Sequence, residues 1–308
     1  MQGATRERVP LGQVLAVAAA YAACYEVARY FSYSHWILTA GLRLACLLLV
    51  PNRFWPALIL GESVPVMQNA LLHGEDFGWA WASVSAIPFI PLCMPFVKAI
   101  RERMPLYDAN GQLNANTILY ATLVCALVTA VRTDAAVFAA LIVNPDGWEA
   151  WRAEGLIDFL AYVLGAYLGA LSLAPILLAV SEWFRKSLSW KRLLASRLTR
   201  DVALGALPLF VLFAATASVS SGLTLDVLRL AIVAPVIALT ARHGWTGTAI
   251  GGLLASVALA TTSATLLDPA MIRAQVIVAL VISSSLIVGI RKSSTAVDRN
   301  LAHPTIHS

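Results

Sequence analysis

The sequence carries little charge for its length. Only 13% of its 308 residues are Asp, Glu, Lys or Arg, and 59% are hydrophobic. A soluble globular domain is about half apolar and about a quarter charged. Apolar runs long enough to cross roughly 30 Å of hydrocarbon recur along the whole chain, as a lipid solvent requires. The composition therefore excludes an ordinary soluble domain and predicts an integral membrane protein.

The sequence also lacks the motifs of catalytic and metal-binding proteins. It contains no HExxH, GxSxG, GxGxxG or P-loop motif. Of its five histidines, only His303 and His307 are four residues apart, and they lie in a polar tail beside Pro304. The four cysteines have no CxxC spacing and lie within apolar runs, which is typical of small buried side chains. We therefore expect no enzymatic activity, no metal site and no cofactor.

Ten apolar segments follow one another along the chain. Backbone polar groups have to be satisfied internally in lipid, so these segments are predicted to be helices. A break predicted at Arg132–Asp134 would shorten or divide the fifth segment. The fold class is therefore all-α, a polytopic transmembrane helical bundle with about 8–10 transmembrane helices. The segments span approximately residues 11–30, 34–50, 54–73, 77–99, 115–142, 155–181, 201–219, 226–241, 246–266 and 271–290.

Basic residues lie in alternate connections between these segments. One side of the membrane carries most of the Lys and Arg residues, whereas Arg152 is nearly alone among acidic residues on the other side. The positive-inside rule then places both termini in the cytoplasm, in a multi-pass protein of a bacterial inner membrane. Because the net charge of +5 resides in these short connections, we expect the lipid bilayer as partner and no nucleic acid.

Three regions follow from this topology. Residues 1–10 form a cytoplasmic N-terminus, residues 11–290 an integral membrane domain, and residues 291–308 a disordered cytoplasmic tail. Within the membrane domain, the segment 182–200 is basic and amphipathic. We expect it to lie along the cytoplasmic lipid surface, with the docking of a partner protein as the alternative.

Ionisable residues inside apolar segments are costly in a bilayer and mark candidate functional groups. Arg43 and Glu62 lie near mid-depth on the second and third segments, which a short connection makes antiparallel neighbours. An ion pair between them is therefore predicted, because either charge alone would be expensive to bury. The pair serves either to fix helix register or to bind a ligand.

A second group of polar and aromatic residues lies toward the outer side. Glu26 and Arg29 share one face of the first helix, since they are three residues apart. A mixture of basic, acidic and aromatic groups at one depth suits a small polar or anionic ligand in a cavity open to the periplasm. The alternative is that long side chains reach water from helix ends. The candidate ligand-binding residues are Glu26, Arg29, Trp36, Arg43, Glu62, Arg132, Asp134 and Asp158.

The stretch HWILTAGLRLACLLLVPNRFWPALILG, residues 35–61, resembles the opening of the MASE family (membrane-associated sensor, type one). A Trp, a Gly, a basic turn, a Trp-Pro pair and a further Gly follow in the family's order. Two later stretches resemble the family's glycine-rich helix that ends at a proline and its Arg-His-Gly turn. The matching positions are Trp36, Gly41, Arg53, Trp55, Pro56, Gly61, Gly165, Gly169, Pro175, Pro235, Arg242, Gly244 and Gly247.

The resemblance implies a sensory domain that binds a small periplasmic or membrane-dissolved ligand among its helices. Family sensors are usually fused to a histidine kinase, a diguanylate cyclase or a phosphodiesterase. We expect this chain to be stand-alone and to signal to a separate cytoplasmic kinase or cyclic di-GMP enzyme, with a homodimer as one expected assembly. One departure is Ala166, where the family has an acidic residue. The alternative function is a transporter or channel-like protein for a small solute.

The predicted orientation can be tested by cysteine labelling in a variant whose four native cysteines are replaced by alanine. A membrane-impermeant maleimide should label Glu75→Cys and Glu149→Cys from the periplasmic side. It should label Arg103→Cys and Arg200→Cys only after the membrane is permeabilised, because these positions lie on the side rich in basic residues. The opposite pattern of labelling would show that the orientation is reversed.

Overall fold

The computed structural model describes residues 9–33, 36–109, 111–143, 147–187, 189–262 and 269–302. Within these ranges the chain forms helices joined by short connections, and no strand is present beyond two isolated bridges. The predicted all-α polytopic bundle is confirmed. The predicted N-terminal region is described only at Val9 and Pro10, and residues 303–308 of the predicted tail lie outside the described part.

The helices are numbered in chain order. A single 3-10 turn, Asn52–Phe54, precedes α3, and a π-helical turn, Val202–Ala206, precedes α11. The α-helices are α1 Leu11–Tyr30, α2 Leu38–Leu49, α3 Trp55–Leu72, α4 Gly74–Phe77, α5 Trp79–Ser85, α6 Ile90–Arg103, α7 Ala115–Leu141, α8 Gly147–Arg185, α9 Trp190–Leu194, α10 Arg197–Asp201, α11 Leu207–Ser218, α12 Gly222–Ala231, α13 Val233–Ala260 and α14 Pro269–Ala302.

Seven helical stretches in the described residues are long and apolar enough to cross a membrane. The two other predicted segments correspond to α2 and α3. Helix α2 has only 12 residues, and α3 carries Glu62, Gln68 and Asn69, which lower its hydropathy. One of the seven stretches, of 39 residues, covers two predicted segments. The boundary between these two segments corresponds to Gly244, which interrupts α13 with a non-helical φ of 64° and ψ of −145°. Each predicted segment therefore has a helical counterpart.

The position of one break differs from the prediction. Helix α7 runs without interruption from Ala115 to Leu141, so the break predicted at Arg132–Asp134 is wrong. The polar groups of Arg132 are satisfied by carbonyls of a neighbouring segment, so α7 does not have to unwind around them. The chain breaks instead between α5 and α6, where Pro88 and Pro91 cannot donate backbone hydrogen bonds.

The structure also describes part of two segments that the sequence predicts to be cytoplasmic. Helix α14 continues to Ala302, whereas the sequence predicts a disordered tail from residue 291. The stretch after residue 290 contains no glycine or proline before Pro304, so nothing in its sequence ends the helix earlier. The basic segment 182–200 is not one helix, because the chain leaves helical geometry between α8, α9 and α10. Its placement on the lipid surface stays a prediction.

Helix α2 lies at the centre of the bundle. Ten of its twelve residues are buried, and it packs mainly on α8, with α1, α6 and α7 as further neighbours. The backbones of α2 and α8 come close at Gly41, where a Cβ atom would lie 2.7 Å from the carbonyl oxygen of Gly169. A Cβ atom on Gly169 would in turn overlap the carbonyl of Ile37. The small residues therefore allow a helix that carries a charged side chain to be enclosed on every side.

The close packing of α2 on α8 predicts that Gly169→Ala is destabilising. The added methyl group meets the backbone carbonyl of Ile37, which cannot move without shifting the start of α2. Overpacking of this kind costs about 1–3 kcal/mol, which SDS-induced unfolding of the purified protein measures. Gly205→Ala is the control, because open space surrounds that position, and its stability should be unchanged or slightly higher. Equal stability of both variants would contradict the close contact.

Candidate functional site

The predicted ion pair between Arg43 and Glu62 is present in the core of the bundle. Nε of Arg43 on α2 donates a hydrogen bond of 2.9 Å to Oε1 of Glu62 on α3. Both side chains are completely buried, with 0% of their surface exposed. A charge pair at this depth is stable only when the remaining polar atoms of both partners are also satisfied.

Arg43 reaches two further elements. Its Nη1 donates to Oγ1 of Thr129 on α7 at 3.0 Å, and that hydroxyl donates to the carbonyl of Cys125 at 2.7 Å. The guanidinium also lies over the ring of Phe89, with Cζ 4.4 Å from the ring centre, which adds a cation–π attraction. Its Nη2 is buried and has no hydrogen-bond partner among the described residues.

Glu62 closes the N-terminal end of α6. The backbone N–H of Ile90, the first residue of α6, donates to Oε2 of Glu62 at 2.6 Å. The first N–H groups of any helix lack a partner within the helix, and no water replaces it inside a bilayer. The carboxylate supplies that partner and lies at the positive end of the α6 dipole. One side chain therefore neutralises Arg43 and caps a helix that starts inside the membrane.

Arg132 closes the other side of the same break. From α7 it donates to the backbone carbonyl of Ser85, the last residue of α5, and its Nε donates to the carbonyl of Ile87 at 3.2 Å. Its Cζ lies 4.3 Å from the centre of the Phe89 ring. The carbonyls at a helix C-terminus attract cations. The break between α5 and α6 is thus held by an anion at one end and a cation at the other.

A cavity of about 200 Å³ lies against this break, between α1, α3, α5, α7 and α8. Two arginines, Arg29 and Arg132, contribute to its wall, and none of the described residues that line it is acidic. A cavity with cationic and aromatic walls and an amide favours a small anionic or polar molecule. The polar and aromatic residues that line it are Tyr25, Arg29, Asn69, Trp81, Ser85, Phe89, Arg132, Thr133 and Tyr162.

Two of the predicted ligand-binding residues line this cavity, and three others contact its wall directly or through one further side chain. Arg29 and Arg132 line it. Arg43 lies behind Phe89, which belongs to the cavity wall, and Glu62 lies behind Arg43. Glu26 holds Arg29 through an ion pair of 2.9 Å, while Nη1 of Arg29 donates to Asn69 at 2.8 Å.

Trp36 lies away from the cavity. Its ring is buried, and its Nε1 donates to Oγ of Ser172 on α8 at 3.2 Å. That hydroxyl is 2.6 Å from Oγ of Ser256 on α13. Trp36 therefore joins the start of α2 to two other helices, which is a packing role.

Asp134 and Asp158 also lie outside the cavity wall. They belong to an acidic group near the C-terminal end of α7 and the N-terminal end of α8, together with Glu154 and beside Trp151. Among the described residues, no group of three His, Cys, Asp or Glu side chains is arranged to hold a metal ion.

Sequence reasoning missed Phe89, Thr129 and the backbone of Ile90 as members of this site. The signal that marks this region is the run Ile87-Pro88-Phe89-Ile90-Pro91, in which two prolines interrupt an apolar segment. Prolines that break a membrane helix leave backbone groups that need partners. Glu62 and Arg132 are the nearby side chains that provide those partners.

The central pair predicts a clear stability pattern in SDS-induced unfolding. Glu62→Gln keeps an acceptor for Ile90 but leaves the buried charge of Arg43 unpaired, which should cost about 3–5 kcal/mol. Combining Glu62→Gln with Arg43→Met removes both charges, so the double variant should be more stable than Glu62→Gln alone. Lys98→Met is the control, since the Lys98–Glu102 pair is exposed and 3.9 Å long. Additive effects of the two core substitutions would show that the charges do not interact.

Comparison with known proteins identifies the family of this chain. The family model MASE1 matches residues 8–295, which is nearly the whole chain. No curated protein and no solved structure matches the chain. The match covers the segments in which the glycines, the Trp-Pro pair and the Arg-His-Gly turn occur. Of these residues, Gly41, Gly61 and Gly169 lie at close helix contacts, and Gly244 lies at the α13 break. The chain therefore belongs to the MASE1 family of membrane-associated sensory domains.

Proposed function

We propose that this protein is a non-catalytic sensor of a bacterial inner membrane that binds a small anionic or polar molecule in the cavity beside the α5–α6 break. A cytoplasmic signalling protein, a histidine kinase or a cyclic di-GMP enzyme, reads the resulting change in helix packing. One observation carries the proposal. Phe89 is both a wall of the cavity and a contact of the buried guanidinium of Arg43. An occupant is therefore one side chain away from the central ion pair.

The cavity supports the proposed ligand class. Its volume of about 200 Å³ lies below the 300–1,000 Å³ of typical pockets for drug-sized molecules, so the occupant is a small metabolite or ion. Arg29 and Arg132 supply positive charge, and Trp81, Phe89 and Tyr162 supply flat surfaces. Arginine binds carboxylate and phosphate groups through two parallel hydrogen bonds. A small carboxylate or phosphate ester fits these walls best.

The hydrogen bonds of Arg132 suggest how binding is transmitted. This side chain donates to the carbonyls of Ser85 and Ile87. An anion in the cavity competes for the same N–H groups, which weakens the cap on α5. A ligand shifts a conformational equilibrium only when it binds one state more tightly. Release of the α5 cap provides that difference, because the two states differ in the donors that face the cavity.

A transporter or channel for a small solute is the second candidate. The observation that favours it is the discontinuous α5–α6 segment with charged groups at its ends, a feature that solute-binding helices of secondary transporters share. A sensor and a transporter differ in one measurable property, since a sensor moves no solute. Uptake of a labelled ligand into proteoliposomes therefore separates the two functions once a ligand of the cavity is known.

Binding in the cavity can be tested with phosphate, acetate, succinate, citrate, glutamate and glucose 6-phosphate on protein in lipid nanodiscs. At 100 times its Kd a ligand adds about 2.7 kcal/mol to stability, so at least one of these anions should raise the melting temperature. Trp81→Ala should raise the Kd of that anion at least ~10-fold, which corresponds to about 1.4 kcal/mol of binding free energy. Trp79→Ala is the control, because Trp79 lies on the same short helix but is 62% exposed.

Two results would contradict the proposed site. The first is that none of these anions raises the melting temperature of the unmodified protein. The second is that Trp81→Ala and Trp79→Ala weaken binding of the stabilising anion equally, which would place its binding site outside the cavity. Uptake of that anion into proteoliposomes would favour the transporter over the sensor.

A further inference from the structure

A second cavity lies at the end of the bundle that the charge pattern assigns to the cytoplasm. Its volume is about 570 Å³, and it lies between the C-terminal ends of α2, α6 and α8 and the connection that follows α6. Two arginines, Arg101 of α6 and Arg185 of α8, line it, and none of its described lining residues is acidic. Apolar side chains, including Leu48 and Leu106, form the rest of its wall. The cavity is separate from the one beside Phe89, because the two share no residue.

Arg101 is held in place by the end of α2. Its Nη1 donates to the carbonyl oxygens of Leu47 at 2.8 Å and Val50 at 3.2 Å, and to the Asn52 side chain at 3.1 Å. Its Nε and Nη2 form no hydrogen bond within the described part of the chain. One edge of the guanidinium therefore caps α2, and the other edge is available to a ligand.

Arg185 is positioned by an aromatic ring. Its Cζ lies 4.6 Å from the centre of the Tyr107 ring, and the structure gives this guanidinium no acceptor among the described residues. The connection that carries Tyr107 is itself fixed, because Asn114 N–H donates to the Leu106 carbonyl at 2.8 Å and Tyr107 pairs with Leu113. Stacking on a fixed ring orders a planar guanidinium without using its N–H donors. Arg185 is therefore an ordered cation whose donors can serve a ligand.

We infer that this cavity binds a phosphate group, with Arg101 and Arg185 as its donors. Arginine matches phosphate oxygens in pairs of hydrogen bonds, and no acidic residue of the described wall compensates the positive charge. The adjoining apolar wall of Leu48, Leu49 and Leu106 accommodates the glycerol and upper acyl region of a phospholipid. The same phosphate chemistry is present in a soluble phosphate ester, so the source of the group is decided by experiment.

The test uses the full chain in a neutral maltoside detergent and isothermal titration calorimetry with three probes. Dihexanoyl phosphatidylglycerol carries an anionic phosphate and short acyl chains. Dihexanoyl phosphatidylcholine has the same chains but no net charge, and glycerol 3-phosphate has the phosphate without the chains. The anionic lipid should bind at least ~10-fold more tightly than the choline lipid, because both carry the phosphate diester but only choline brings a quaternary ammonium, which the two arginines repel and which offsets the charge of the phosphate.

The variant that tests the cavity is Arg185→Gln. This exposed side chain makes no hydrogen bond in the described structure and only stacks on Tyr107, so the substitution should lower the melting temperature without ligand only slightly. It should weaken binding of the anionic probe by at least ~10-fold. Arg185→Lys should restore part of the affinity, since it keeps the charge but loses the flat stacking on Tyr107. Arg103→Gln is the matched control, because Arg103 ends α6 as Arg185 ends α8 and the substitution removes the same charge, but Arg103 does not line the cavity.

The three probes separate the two sources of the phosphate. Tighter binding of the anionic lipid than of glycerol 3-phosphate identifies a lipid headgroup as the source, and equal affinity of the two identifies a soluble phosphate ester. Both results support the site when Arg185→Gln weakens binding and Arg103→Gln does not. Equal binding of the choline lipid and the anionic lipid, equal effects of the two Gln variants, or the absence of binding by any probe would overturn it.

Discussion

The buried pair of Arg43 and Glu62 is the interaction on which the arrangement of the surrounding helices depends. Each charge alone would carry a desolvation cost of several kcal/mol inside the bundle. The cost is offset because the two groups bind each other and because each has a second task. Arg43 reaches Thr129 on α7 and the ring of Phe89, and Glu62 caps the first N–H of α6. Four segments, α2, α3, α6 and α7, are therefore fixed in register by two side chains.

This arrangement requires a polar residue on a helix that is enclosed on every side, and the glycines make that enclosure sterically feasible. Gly41 and Gly169 bring the backbones of α2 and α8 together, and Gly61 does the same for α3 against Ala18 of α1. Close backbone approach strengthens dispersion contacts, which drive helix association in lipid because the hydrophobic effect is weak there. Ala166, which replaces the acidic residue of the family pattern, is completely buried in the core. A carboxylate at position 166 would be buried and would need a partner. With alanine there, this chain has no acidic ligand contact at that position.

The length of the apolar runs and the cost of isolated charges were enough to predict the helical segments and the central pair. The ion pair was predictable because Arg43 and Glu62 are mid-depth charges on antiparallel neighbours. The break was assigned to the wrong helix because Arg132 and Asp134 appeared too polar for an uninterrupted α7. The prolines at 88 and 91 were the better signal, since missing N–H groups interrupt a helix whatever its neighbours, whereas a charged side chain can find carbonyls elsewhere. Trp36, Asp134 and Asp158 show the other limit, because similar depth along helices does not place side chains on the same side of the bundle.

Helix α2 connects the two proposed sites. Its twelve residues span roughly 18 Å, with Arg43 near its middle and its last carbonyls bound by Arg101. A helix buried on every side moves as a unit, since close-packed interfaces have discrete arrangements and do not deform continuously. If an anion draws Arg132 away from α5, the contact between Phe89 and Arg43 changes first, and α2 is the rigid element that carries the change to its own C-terminal end. There it meets Arg101 at the edge of the second cavity, so a phosphate group in that cavity would act on the same helix. The two sites are then coupled through one element, and the coupling has to be reciprocal, because each ligand changes the affinity of the other by the same factor.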